Sequence, residues 1–322
     1  MNLNFRRLAA LAAVGGTIFF GGNAAADAAD MSKEGIWAFR EAYVSQAPNT
    51  RIFEQDLTLF STNFHLDIDS RAQVLKDGSL RMGGQFNWTY TNLKNNFTTN
   101  NKIPFYIEQL GNEMTLYVQR KGKWSKMLLP GLPSGIAILW KSTEPEIIND
   151  VLDAVKKIEI LNDTPDLRTM NVTLEGKKLA NILDKNSSAT FENLSGDALA
   201  EQKEIFNRWL AAFKENNITF TWTVNKPSWT TATAAFDLTS IMRAYSIYVL
   251  NEAAAGRVIL TDEERDLLDA MGYYAELKAY TTQIAPRKDT AVNPPAVNLS
   301  NVPENDDSLN DIFSEMTTVV ER

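Results

Sequence analysis

The chain has 322 residues, 44% of them hydrophobic, with no cysteine, one histidine and a net charge of −8. Without cysteine there is no disulfide, no thiolate metal site and no lipid-modified N-terminal cysteine, so stability must come from a packed core, which a chain of this length can bury. The acidic balance argues against nucleic acid and against electrostatic docking on anionic lipid, both of which need a surplus of Lys and Arg.

Arg6 and Arg7 precede a charge-free run over 8–20, which leads into small residues ending in Ala24, Ala25, Ala26 and Asp27. A positive segment, an apolar segment and an A-x-A site in that order make 1–26 a secretory signal, cleaved after Ala26 or, as the alternative, after Ala28. The apolar run is short for a membrane span and holds Gly15 and Gly16. The expected mature chain is periplasmic or extracellular, has no lipid anchor and no transmembrane span, and carries −10, that is −8 less the charges of Arg6 and Arg7.

A short helix with Ile36, Trp37, Phe39 and Tyr43 comes next and breaks at Pro48. Alternation then begins, with Phe60, Thr62, Phe64, Leu66 and Ile68 on one parity and Asn63, His65, Asp67 and Asp69 on the other, the pattern of a half-buried strand. Beyond a turn at 76–78, Leu80, Met82, Gly84, Phe86, Trp88 and Tyr90 oppose Ser79, Arg81, Gly83, Gln85, Asn87 and Thr89, one face apolar and one polar. Further strands read over 103–108 and 114–119, the second turning through Lys121 and Gly122 into Trp124. Strands joined by short turns must be antiparallel, because parallel neighbours need long crossovers.

Thr143 and Glu146 have capping-box spacing and open a helix with Ile147, Ile148, Val151, Leu152, Val155 and Ile158 on one face. A short strand over 170–175 and a helical turn at 179–183 precede a helix over 198–214 that stacks Ile205, Phe206, Trp209, Leu210 and Phe213. Strands return with Ile218, Phe220, Trp222 and Val224, then with Ala232, Ala234, Phe236 and Leu238 after a turn at Lys226 and Pro227. Residues 240–272 form a helical insertion whose second helix opens on a capping box from Thr261 to Glu264, and a last strand covers 275–284. The proline-containing segment 286–322 reads as an extended, weakly ordered C-terminal tail. The fold class is α+β: one curved antiparallel sheet with helices on a single face.

The segments 116–124, 172–179 and 220–238, the last with its Lys226-Pro227 turn, resemble the LolA/LppX-like group of periplasmic proteins and lipoproteins, which includes lipoprotein carriers, mycobacterial glycolipid-binding lipoproteins and Firmicutes envelope proteins. The resemblance covers roughly 50–300 and rests on order and pattern. It implies an incomplete barrel with helices covering the concave face, a single curved-sheet domain over 27–285 whose cavity holds acyl chains. The missing lipobox cysteine and the long 240–272 insertion depart from the group.

Catalytic chemistry finds little support. His65 sits beside Asp67 and Asp69 on a polar strand face with no second His and no Cys to complete a zinc or nucleophile site, and Asp67-Ile68-Asp69 lacks the glycine and glutamate of a calcium loop. No hydrolase elbow, zinc-protease motif or phosphate loop is present, and Gly83-Gly84 inside a strand marks a bulge or bend. No metal and no cofactor are expected.

The expected ligand-binding residues are the large side chains on the apolar parity: Phe64, Met82, Phe86, Trp88, Tyr90, Phe105, Trp124, Phe220, Trp222 and Phe236. They are core formers first, and they line a cavity only if sheet and helices leave a gap. The reading is a non-catalytic envelope protein that binds a lipid or the acyl chain of a lipoprotein. The alternative is a protein-interaction or sensing module with an envelope partner, and an exported hydrolase stands third. Intact-mass measurement of the exported protein is expected to place the mature N-terminus at Asp27 or Ala29; a mass that retains Arg6 and Arg7 would overturn the signal peptide.

Overall fold

The computed structural model describes residues 33–45, 51–62, 64–76, 79–92, 97–111, 113–129, 145–192 and 194–304. The expected signal segment 1–26, Thr143, the Asp77-Gly78 part of the expected turn and the part of the expected tail beyond 304 lie outside the described residues.

Eleven strands form one antiparallel sheet that does not close into a barrel. They are β1 (Arg51–Phe60), β2 (Phe64–Val74), β3 (Leu80–Asn92), β4 (Phe97–Leu110), β5 (Glu113–Arg120), β6 (Lys123–Leu128), β7 (Val155–Asp163), β8 (Leu167–Leu174), β9 (Ile218–Asn225), β10 (Thr230–Asp237) and β11 (Glu276–Ile284). The order across the sheet is β6-β5-β4-β3-β2-β1-β11-β10-β9-β8-β7. One meander therefore starts at the middle and runs to the β6 edge, and a second starts at the opposite edge and returns to pair β11 with β1.

Among the described residues six helices, α1 (Lys33–Ser45), α2 (Pro145–Ala154), α3 (Gly176–Ser187), α4 (Gly196–Glu215), α5 (Thr239–Ala254) and α6 (Asp262–Tyr274), cover the concave face. Each sends apolar side chains into the same core as the strands: Phe39 from α1, Val151 from α2, Leu183 from α3, Phe213 from α4, Met242 from α5 and Met271 from α6. The Thr261 side chain accepts from the Glu264 amide at 3.1 Å and Glu264 Oε2 accepts from the Thr261 amide at 2.8 Å, so the expected capping box opens α6. Gly176 is required where α3 begins, because a Cβ there would collide with the Phe213 and Asn216 carbonyl oxygens at the end of α4.

Three local expectations change. The alternation expected to run unbroken from Phe60 to Ile68 is interrupted, since the Ser61 amide donates to the Phe64 carbonyl at 2.7 Å and the chain reverses between β1 and β2. Parity does not carry through a turn, so Phe60 is exposed and Phe64 buried. The helix expected to include Val155 and Ile158 ends at Ala154, and both residues are buried from strand β7, paired with Leu174 and Val172. The turn at 179–183 is the middle of the full helix α3.

Residues 286–304 have almost no regular structure but are strapped across the convex face. Arg71 Nη1 donates to the Asp289 carbonyl at 3.3 Å, the Val292 amide donates to Gln73 Oε1 at 2.9 Å, and Val292 and Val302 are buried with Tyr106 and Tyr117, with Leu299 and Trp124 packed alongside. At the far end the Lys126 amide donates to the Pro303 carbonyl at 3.0 Å, covering an edge position of β6 that would otherwise face water. Replacing Val292 and Val302 together by Ala removes their γ-methyl groups and is expected to cost roughly 3 kcal/mol, at about 0.8 kcal/mol per buried carbon, with the Lys126 amide losing exchange protection first. Hydrogen exchange and thermal melts check this; a double variant indistinguishable from the parent would mean the strap is held by something else.

Candidate functional site on the concave face

The inner face of the sheet is built by parity. In β3, Leu80, Met82, Phe86 and Trp88 point inward and are buried, while Arg81, Gln85 and Asn87 point outward. Cross-strand register extends the lining. Phe86 stands opposite Ile68 and Ile103, Trp88 opposite Leu66, and in the other half Phe220 lies between Val172 and Phe236.

Of the ten candidate residues, Phe64, Met82, Phe86, Trp88, Phe105, Phe220, Trp222 and Phe236 lie in one buried cluster, and the partly buried Tyr90 packs against it. The rings gather in two groups. Phe86 stacks on Phe105 with centroids 4.3 Å apart and Phe64 meets Trp88 edge-on at 6.1 Å; across the sheet, Phe220 and Trp222 sit 6.2 Å apart. The indole of Trp222 donates to Thr231 Oγ1 at 3.0 Å, which satisfies its only donor.

Trp124 is a correction. It belongs to the convex face, packed against Tyr106, Tyr117, Val292 and Val302, because β6 pairs Trp124 with Gln119 and so gives it the parity opposite to the inward Met127. Two contributors were not among the candidates. Phe39 of α1 meets Trp222 edge-on at 5.7 Å and Phe220 at 6.4 Å, and Trp209 of α4 stacks on Tyr245 of α5 at 4.1 Å. Both lie on helical faces whose periodicity was legible, but periodicity does not say which strand a face meets. Burial pushes the Tyr245 hydroxyl up to about 12, so it stays neutral at any physiological pH.

Helix α1 is clasped to the sheet from one end. Arg168 of β8 is buried and grips Asp163 with two hydrogen bonds, Nε to Oδ1 at 3.1 Å and Nη2 to Oδ2 at 2.7 Å, while Nη2 also reaches Glu34 Oε1 of α1 at 2.7 Å. The guanidinium lies 5.8 Å from the Trp229 ring centroid, and Trp229 takes Trp37 of α1 edge-on at 5.0 Å. Hydrogen bonds from Arg168 and Lys226 hold the Asp163 carboxyl well below the usual carboxylate range.

Away from the strap, the convex face of β1, β2 and β3 carries a polar network. Asp56 and Asp69 stand directly opposite each other on β1 and β2; Asn87 Nδ2 donates to Asp69 at 2.8 Å, and Thr58 and His65 both contact Asp67 Oδ1, at 3.0 and 3.1 Å. His65 is thus one partner in a solvated strand-face network. Among the described residues no group of three or more His, Cys, Asp or Glu side chains is placed to hold a metal ion, and no helix is long and apolar enough to cross a membrane.

No family model matches the chain, and no curated protein matches it. Among solved structures it is similar to the crystal structure of LprF from Mycobacterium bovis, at 11% identity and a TM-score of 0.39, over 84% of this chain and 100% of that one. Likeness of that degree transfers no residue roles, and the site is argued from this chain's own side chains.

The convex network has a consequence for stability. Desolvation first, then the charges of Asp69 and Glu54, raise the Asp56 carboxyl above its ordinary value. A carboxyl raised in the folded state binds its proton more tightly there than when unfolded, so its unfavourable contribution is full above the folded pKa and fades as pH falls through that value and below the unfolded one. Asp56→Asn is therefore expected to raise stability at neutral pH and to lose that advantage in acid, as measured by denaturant melts across pH. An advantage that is constant with pH would contradict this account.

Proposed function

We propose that the chain is an exported envelope protein that binds a lipid, or the acyl part of a lipoprotein, between the concave face of its sheet and the helices, without catalysing a reaction. The observation that carries the reading is the one-sided aromatic lining: Phe64, Phe86, Trp88 and Phe105 on one half of the sheet and Phe220, Trp222 and Phe236 on the other face the same helical layer. A sheet curved over amphipathic helices is where an apolar tail finds room, and rings in stacked and edge-on pairs can separate without breaking hydrogen bonds. A tail of about ten methylenes gains on the order of 8 kcal/mol on leaving water, the free energy of a micromolar Kd. The resemblance to the LolA/LppX-like group points the same way.

A second reading, a protein-interaction module, is favoured by Tyr248, Tyr273 and Tyr274, large side chains left exposed on α5 and α6. Mass spectrometry of lipid extracted from detergent-free protein, together with titration by a fluorescent fatty acid, separates the two. Under the lipid reading Trp88→Leu keeps the fold and changes probe affinity, whereas a Trp88 that serves only the core costs up to about 3–5 kcal/mol and leaves affinity alone. A parent protein that neither binds the probe nor releases lipid overturns the proposal in favour of the interaction module.

A further inference from the structure

Polar side chains interrupt the apolar concave face of the central strands, chiefly along one cross-strand row. Thr281 of β11 stands opposite Gln55 of β1, Gln55 opposite Ser70 of β2, and Ser70 opposite Gly84 of β3. The row is apolar on both flanks, running to Ala234, Trp222 and Met170 on one side and to Phe105 and Val118 on the other. The neighbouring row, Ala279, Leu57, Ile68 and Phe86, is wholly apolar. Gln283 and Arg51 share the inward parity and carry the polar strip towards one end of the sheet.

The strip holds polar atoms that the fold leaves unanswered. Thr281 Oγ1, Ser70 Oγ and Gln283 Oε1 are shielded from solvent and have no hydrogen-bond partner among the described residues, and Thr281 is only 4% exposed. A valine at 281 would pack there without stranding a hydroxyl, so the threonine costs the fold stability unless something else bonds to it. Arg51 is also buried, with its guanidinium 5.9 Å over the Phe53 ring. Burial lowers it to about 10, so it remains charged at neutral pH. On the inward parity of β1, β2, β3 and β11 Arg51 is the one charged residue, and no carboxylate shares that face.

We infer that this strip is the headgroup subsite of the concave face, and that the ligand is an amphiphile with an anionic oxygen headgroup, bonded by Thr281, Ser70 and Arg51 while its tail lies along Leu57, Ile68 and Phe86. The inference rests on the lipid-binding reading and deepens it. Gly84 belongs to the same device: a Cβ there would collide with the Asp69 carbonyl and with Ser70, so glycine keeps the strip shallow where β2 and β3 approach closely.

Two fluorescent probes with the same tail test it, one a free fatty acid and one its methyl ester, each titrated into the full chain. The parent is expected to bind the acid at least about tenfold more tightly than the ester, the effect of one charge-assisted hydrogen bond. Arg51→Met and Thr281→Val should each bring that ratio to within about threefold, chiefly by weakening binding of the acid. Should Arg51→Met fail to fold, the near-isosteric Thr281→Val still reports. A ratio unchanged in Thr281→Val, or a parent that prefers the ester, overturns the subsite. A parent that binds neither probe overturns the lipid reading as well, so the two failures are distinguishable.

Discussion

The pairing of β1 with β11 is the constraint on which the rest of the structure depends. The two strands are far apart in sequence and are bonded along nearly their whole length, with Leu57 opposite Ala279 and Leu59 opposite Leu277. Without that seam the chain holds two separate meanders, each with an open edge at the centre. With it there is one sheet whose open edges are confined to β6 and β7. Side chains alternate with period two, so a slip of one residue at the seam would turn the apolar face of one half outward while the other stayed inward. The inward leucines of β1 therefore fix which face every other strand shows to the helices.

Much of this was legible because each half obeys a simple rule. β3 is read without ambiguity since its even residues from Leu80 to Tyr90 are apolar or glycine and the odd residues between them polar or glycine, and only one face can then be buried. β9, with Thr219, Thr221 and Thr223 between Ile218, Phe220, Trp222 and Val224, is equally plain, and its outward threonines bond Thr173 and Thr169 of β8 across the ladder. Nearly all the candidate rings consequently meet in one cluster. The failures share a physical cause. Periodicity shows which face is apolar but not where a turn falls: Phe60 and Phe64 have the same parity and opposite fates because three residues between them reverse the chain. Val155 and Ile158 fit a helical spacing and a strand face equally well, and the choice was made by pairing with β8, which no local window contains. Trp124 was misplaced because the tight turn at Lys121 and Gly122, both at positive φ, sets the parity of β6 against that of β5.

The edges and the two faces are managed by different means. At β6, the Pro303 carbonyl of the strap accepts from the Lys126 amide. At β7 the edge is charged along its length, with Lys156, Lys157 and Glu159, the last two within 3.5 Å of each other, and is entered directly from α2. Helix α1 and the strap then lie on opposite sides of the sheet, the first held by the buried Arg168 and the second by Val292 and Val302. The clasp and the strap are chemically unlike. The clasp is ionic and directional, and it fixes the position of Phe39 over Trp222; the strap is apolar with a few backbone bonds, and it covers area without fixing any inward side chain.

This division bears on how one face serves both stability and binding. Large rings on the concave side supply burial, and since they meet as stacked or edge-on pairs their loss on separation is shallow compared with that of interlocked aliphatic packing. A face built only of such rings would be a good core and an indiscriminate ligand surface. What departs from the pattern is the strip through Thr281, Gln55 and Ser70, polar residues on the inward parity, where an unanswered hydroxyl costs stability. Departures from a consistent pattern concentrate where a protein does something besides fold. Here Thr281 and Gln55 lie on the two strands that make the seam, so the strands that unite the two halves of the sheet also carry inward polarity. A group bonded to that strip would touch β11, β1 and β2 together, and its binding free energy would add directly to the pairing that holds the halves as one sheet.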